Sequence, residues 1–302
     1  MGKYILSFVS ERELSVAWEL AGAEVSEKIQ KGFVPLIQIL AAVSIILNLL
    51  LILVMLCRKS MRKGLYRTLL LTFFFETLMH LTFVGGFPNK YAEKELCIVQ
   101  GCLLTLFSGL SYGTVYMLFR ICMRESLNQK DNNTIFARKK MIQYSLLFFI
   151  LSALFAFLPL LTKAVGPDGL ICMITTSNKL QPIAGQDAAV FWKQTHMLFR
   201  AYVYGCIIYL FIKLYLLRRE EKRSKFYQNK MARKGMTSKL SFHLVVFAVF
   251  WFPWQIYTFT EFHYRANEGV FQGLCFVVLN AKGIGNLLAA LKDEEFRAAL
   301  KC

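Results

Sequence analysis

Residues 32–67 read GFVPLIQILAAVSIILNLLLILVMLCRKSMRKGLYR. No charged residue lies between Gly32 and Cys57, and Arg58, Lys59, Arg62, Lys63 and Arg67 then follow within one short loop. A helix needs about 20 apolar residues to cross a bilayer. A basic cluster straight after such a stretch marks a cytoplasmic loop. The two together predict a spanning helix that ends in the cytoplasm.

The pattern recurs along the chain. Residues 96–119, 141–162 and 240–260 are free of charge, while 68–89 hold Glu76 alone, 194–212 hold Arg200 alone and 269–291 hold Lys282 alone. Seven spans result, and the fold expected is an all-α, seven-transmembrane helix bundle. Its parts are an extracellular segment 1–31, a membrane domain 32–291 and a cytoplasmic tail 292–302. The basic residues of 57–67, 120–140 and 213–239 lie on one side of the membrane; the alternate loops are nearly neutral. By the positive-inside rule the N-terminus is outside and the C-terminus cytoplasmic. Residues 1–31 carry Glu11, Glu13, Glu19, Glu24 and Glu27 and have no sustained apolar core. They do not read as a secretory signal, so the first span is expected to direct insertion. In the tail, Leu291, Phe296, Ala299 and Leu300 can share one helical face. That predicts a short amphipathic helix on the membrane after span seven.

Composition agrees. Of 302 residues, 56% are hydrophobic and only 18% charged, against about 25% charged in a soluble domain. Mean hydropathy is +0.45. A soluble enzyme and a disordered chain are excluded. The net charge of +17 would suggest nucleic acid, but its placement between apolar spans makes it a topology signal instead.

Few residues carry chemistry. The histidines His80, His196, His243 and His263 lack ligand spacing, the cysteines form no CxxC, and no hydrolase or kinase motif occurs. No metal, catalytic residue or enzyme is expected, and the chain reads as a binding and switching protein. Cys97 and Cys172 both fall on the outer side, where disulfides persist. A bridge between them would pin the long segment 162–193 over the bundle mouth. Charges inside spans are expensive and often functional. Glu76 and Lys282 could form a buried ion pair. Arg200, near the outer end of its span, could snorkel to the interface or face a ligand. Span six reads Phe250-Trp251-Phe252-Pro253-Trp254, a proline kink flanked by large rings. Span seven offers Asn280 and Asn286 as hydrogen-bonding groups among small residues.

These residues resemble the G-protein-coupled receptor superfamily. Asn48 is similar to the asparagine of span one in rhodopsin-like receptors, and Glu76 falls at their span-two aspartate. Cys97 with Cys172 matches the family disulfide, Trp251-Phe252-Pro253 the Trp-x-Pro of span six, and Asn286 the asparagine of Asn-Pro-x-x-Tyr. Span three ends Phe119-Arg120-Ile121-Cys122-Met123-Arg124 without Asp/Glu-Arg-Tyr, so Arg120 or Arg124 would take the arginine's place. The run Cys97-Ile98-Val99-Gln100-Gly101 resembles the start of span three in the cyclic-AMP-receptor-like family.

The resemblance implies a plasma-membrane receptor that transmits a small-molecule signal to a heterotrimeric G protein through movement of span six. Gln100, Arg200, Tyr204, Trp254, Tyr257, Asn280 and Lys282 would line the ligand site. Asn48, Glu76, Trp251, Pro253 and Asn286 would form the switch. Arg120, Arg124, Arg233 and Lys234 would face the G protein. A second resemblance competes. Ala281-Lys282 matches the pair that carries retinal in animal opsins, with Gln100 where a counterion glutamate is common. That implies a photoreceptor with Lys282 as Schiff-base lysine; without it no cofactor is expected. A transporter or channel is the third reading.

Overall fold

The computed structural model describes residues 11–58, 61, 65–85, 94–126, 134–161, 165–168, 171–174, 186–223, 230–260 and 268–300. The elements in order are α1 (Glu11–Cys57), α2 (Leu65–Val84), α3 (Lys94–Ser126), α4 (Thr134–Leu161), β1 (Val165–Asp168), β2 (Ile171–Ile174), α5 (Gln186–Arg223), α6 (Lys230–Thr260), α7 (Glu268–Asn280), α8 (Lys282–Lys292) and α9 (Glu294–Leu300).

Helix α1 shows why these segments need a bilayer. Ile37, Ala41, Ser44, Asn48, Leu51 and Met55 recur every three or four residues and are fully buried, so they form the face turned into the bundle. Ile39, Ile46 and Leu53 point the other way, each more than half exposed. Isolated exposed aliphatics are ordinary, but a helix-long apolar stripe left open to water is not. Six helical stretches are long and apolar enough to cross a membrane: Gly32–Cys57, Tyr66–Val84, Glu95–Ile121, Ile142–Leu161, Val190–Lys213 and Val270–Lys292. Phe242–Tyr257 in α6 is a shorter apolar stretch. The backbone of α1 is helical from Glu11 onward, so helix extends back into the segment set apart from the sequence as 1–31.

Helix α3 is central and touches α2, α4, α5, α6 and both strands. Glycines let it approach α4. A Cβ on Gly109 would lie 2.5 Å from Ser152 Oγ, and one on Gly113 would lie 2.6 Å from Phe148 Cβ. Two glycines four residues apart thus give a close crossing of the small-xxx-small kind.

Within the long connection between α4 and α5, strands β1 and β2 pair antiparallel, with Val165 opposite Ile174 and Pro167 opposite Cys172. The hairpin is fastened to the N-terminal end of α3 by the Cys97–Cys172 disulfide, Cα atoms 5.3 Å apart. Gln100 reinforces this by accepting from the Cys172 N–H at 3.3 Å and donating to the Thr82 carbonyl at 3.1 Å. Gly101 gives the strands room, since a Cβ there would meet Val165 Cγ1 at 2.7 Å.

The Val270–Lys292 stretch is two helices. Ala281 interrupts it, and its N–H is shared between the carbonyls of Val277 and Val278 at 3.0 and 3.1 Å. Gly283 and Gly285 lower helix propensity just beyond the break. Ser44 of α1 bridges it, donating to the Asn280 carbonyl and accepting from the Gly283 N–H at 3.0 Å. At the other end, α9 docks through Phe296, which is fully buried and meets Tyr66 edge-on at 5.8 Å between ring centres. Tyr66 donates to Asp293 at 2.8 Å, and Arg58 reaches the Ala299 carbonyl at 3.3 Å.

Candidate functional site

Two polar clusters lie inside an otherwise apolar core, one beneath the hairpin and one nearer the α9 end. The first is built on a stripe of α3. Thr105, Ser108 and Tyr112 recur at three- and four-residue spacing and therefore share a face. On α5, His196 and Arg200 are one turn apart and both turn inward. Helix α6 contributes Trp251, Trp254 and Gln255, and α7 contributes Phe276 and Leu279. All of these except Tyr112 and Gln255 join Phe83 and Leu104 in lining a cavity of about 20 Å³, into which Thr105, Ser108, His196 and Arg200 bring the polar groups.

Arg200 is 2% exposed, so it faces the bundle and does not snorkel. With the Gln255 amide oriented so that each neighbouring donor finds an acceptor, its oxygen accepts from Arg200 Nε at 3.0 Å and Nη2 at 2.8 Å, and from the Tyr112 hydroxyl. The guanidinium carbon lies 5.6 Å from the centre of the Trp254 ring and 5.9 Å from that of Tyr112, within cation–π range. Among the described residues no carboxylate pairs with it.

The second cluster joins α1, α2, α3, α7 and α8. Lys282 forms a fully buried ion pair with Glu76. Glu76 also accepts from Asn286 Nδ2 at 2.6 Å and from the Ser111 hydroxyl at 3.4 Å. Asn286 Nδ2 donates in addition to Asn48 Oδ1 at 3.0 Å. Next to it, His80 Nδ1 meets Asn280 Oδ1 at 2.9 Å, and Asn280 Nδ2 donates to the Phe276 carbonyl at 2.9 Å. The Lys282 ammonium lies 4.3 Å from the Phe247 ring centre and 5.7 Å from that of Trp251.

A continuous contact path links the clusters. Arg200 and Tyr112 share the Gln255 oxygen, Tyr112 packs on Trp251 at 4.7 Å, and Trp251 faces the Lys282 ammonium. Pro253 stands between Trp251 and Trp254, in the stretch of α6 that touches both.

Of the residues singled out for ligand contact, Arg200 and Trp254 line the cavity. Tyr257 stacks on Trp254 at 5.2 Å and Tyr204 lies 6.4 Å from the Tyr112 ring, so both stand one layer behind it. Gln100 holds the hairpin, and Asn280 and Lys282 belong to the deeper cluster. Of the residues expected to form a switch, Asn48, Glu76 and Asn286 come together as one hydrogen-bonded group. Arg120 is exposed and packs over Tyr144, Cζ to ring centre 5.6 Å. Arg124, Arg233 and Lys234 lie on helical backbone, and their side chains fall outside the described residues. Thr105, Ser108, His196, Tyr112, Gln255 and Ser44 were not singled out. The spacing of the α3 hydroxyls and the Gln at Trp254-Gln255 are signals that could have found most of them.

No protein-family model and no curated protein matches the chain. Among solved structures it is similar to squid rhodopsin, with a TM-score of 0.63 at 14% sequence identity, covering 90% of this chain and 84% of that one. The chain therefore has a rhodopsin-like helical fold.

Proposed function

We propose that the chain is a G-protein-coupled receptor of the plasma membrane. A small-molecule ligand reaches the cavity from outside, beside the hairpin held by Cys97–Cys172, and drives nucleotide exchange on a heterotrimeric G protein. The observation that carries this reading is the contact path from the Arg200 cavity to the Glu76–Lys282 pair by way of Tyr112 and Trp251. It gives a bound ligand something to displace that includes Trp251 and Trp254, on either side of Pro253 in α6.

On this reading the bundle has seven spans, α6 crossing through Phe242–Tyr257 and its flanks. Residues 1–31 are extracellular, 32–291 span the membrane, and 292–302 form a short helix and tail on the cytoplasmic face. A ligand that fits one arrangement of α6 better than the other shifts the population between them. Pro253 supplies the pivot, because it removes a helix hydrogen bond at that level. Arg120, Arg124, Arg233 and Lys234 then meet the G protein, and the basic loops also attract anionic lipid.

The retinal reading fits these residues less well. A Schiff-base lysine must project into the ligand cavity, whereas Lys282 is taken up by Glu76 and is not part of the cavity wall. A transporter would need a polar path across the bundle, and the two clusters are separated by Tyr112, Trp251 and Phe247, which pack against one another. The test is GDP release from a panel of purified heterotrimers by the chain in nanodiscs. The receptor reading expects acceleration of at least one. Solute flux in proteoliposomes without any G protein, and no acceleration, would favour a transporter.

A further inference from the structure

We infer that the cavity takes the carboxylate of a small organic acid, with Arg200 as its counter-charge. This rests on the receptor reading for the role of the site, but not for the binding itself.

The guanidinium is buried at the cavity wall, and a buried cation is tolerated only when paired or well solvated by dipoles. Its partners here are the Gln255 amide oxygen, the Tyr112 hydroxyl and two ring faces, all neutral. Gln255 accepts from two of the five N–H donors. A ligand carboxylate would supply the missing negative charge, and the planar guanidinium fork matches its geometry.

The rest of the wall narrows the class. Phe83, Leu104, Trp254 and Phe276 give an apolar lining. The Thr105 and Ser108 hydroxyls already donate to helix carbonyls at 2.8 and 3.1 Å, so they turn acceptor lone pairs to the cavity. The donors for an acid therefore come from Arg200 and the His196 ring. About 20 Å³ holds little more than one water molecule, so the carboxylate too is seated by displacing surrounding side chains. An aliphatic or aromatic body would be seated by displacing the surrounding rings.

The experiment pairs acids with their neutral amides, which differ in charge and hardly in shape. Full-length protein in nanodiscs is titrated with butyrate, butyramide, phenylacetate, phenylacetamide and the cation phenethylamine. Melting temperature and tryptophan fluorescence are read, since Trp251 and Trp254 line the cavity. The acids are expected to raise the melting temperature and shift the fluorescence, and the amides and amine to do neither. Arg200→Gln is expected to weaken acid binding by at least about tenfold, and Arg200→Lys to keep part of it. Amides as effective as acids, binding unchanged in Arg200→Gln, a response to the amine alone, or no response to either acid would each overturn the inference. Should Arg200→Gln not fold, the acid–amide comparison on the unaltered protein still decides. GDP release is measured alongside. Acid binding through Arg200 with no heterotrimer responding would refute the receptor reading and leave the anion site standing; release driven by the amine would do the opposite.

Discussion

The Glu76→Gln substitution isolates the energetic role of the buried ion pair. It keeps the side-chain shape and one acceptor oxygen, enough for Asn286 or for Ser111, but it strands the Lys282 ammonium inside the bundle. Removing one partner of a buried pair costs about 3–5 kcal/mol. The Phe247 ring, 4.3 Å from the ammonium, remains and returns part of this, so the loss should sit near the lower end, about 3 kcal/mol. Domains of 150–250 residues lose about 2–4 °C of melting temperature per kcal/mol, so a fall on the order of 10 °C follows. Replacing both partners, Glu76→Gln with Lys282→Met, removes the stranded charge and should recover most of the loss, because a neutral pair of similar volume is often as stable as a buried ion pair. The assay is fluorescence-detected size exclusion after stepwise heating of detergent-solubilised protein. A single variant as stable as the unaltered protein, or a double variant no better than the single, would refute the reasoning.

Other perturbations test the packing around the two clusters. Gly283→Ala drives a Cβ into the Ser44 backbone, which cannot yield as a side chain can, and should destabilise by about 1–3 kcal/mol. Gly205→Ala on α5 meets nothing within 4 Å and should be neutral or stabilising by up to about 1 kcal/mol in the same heating assay. Phe296→Ala empties a fully buried site under α9 and should cost about 3–5 kcal/mol if that helix unfolds with the bundle, or show as faster amide exchange confined to α9 if it does not. Cys172→Ser releases the hairpin from α3 and should cost about 2–5 kcal/mol; with the bridge gone, Gln100→Leu should add to the loss, whereas equal stability of single and double variants would show that Gln100 does not hold the hairpin.

The membrane-crossing segments were legible because lipid exerts one constraint along a whole helix, and gaps between charges record it directly. The Glu76–Lys282 pair was legible for the same reason: two isolated opposite charges in apolar spans have few affordable partners. Arg200 could not be resolved from its own segment, since a lone arginine near a span end can either reach water or turn inward. Its direction depends on Gln255 and Tyr112, which lie far away in sequence. The break at Ala281 depends likewise on Ser44, although Gly283 and Gly285 hinted at a weak helix. The hairpin has a local signal in Pro167-Asp168-Gly169, a turn sequence between short apolar runs. Which polar residues face the cavity follows from helix rotation, and in lipid-embedded helices an apolar outer face and an apolar core leave that rotation weakly marked.

The proposed transmission by α6 is open to one direct measurement. Spin labels at Ile121 on α3 and Thr237 on α6, with accessible cysteines such as Cys57 replaced, report the distance between these helices by pulsed electron resonance. It would be recorded with and without a nucleotide-free heterotrimer whose GDP release the chain accelerates. Pivoting at Pro253 predicts a longer distance in the complex, and a smaller change when Trp251→Ala interrupts the path from the cavity. An unchanged distance in a functional complex would contradict the proposed movement of α6.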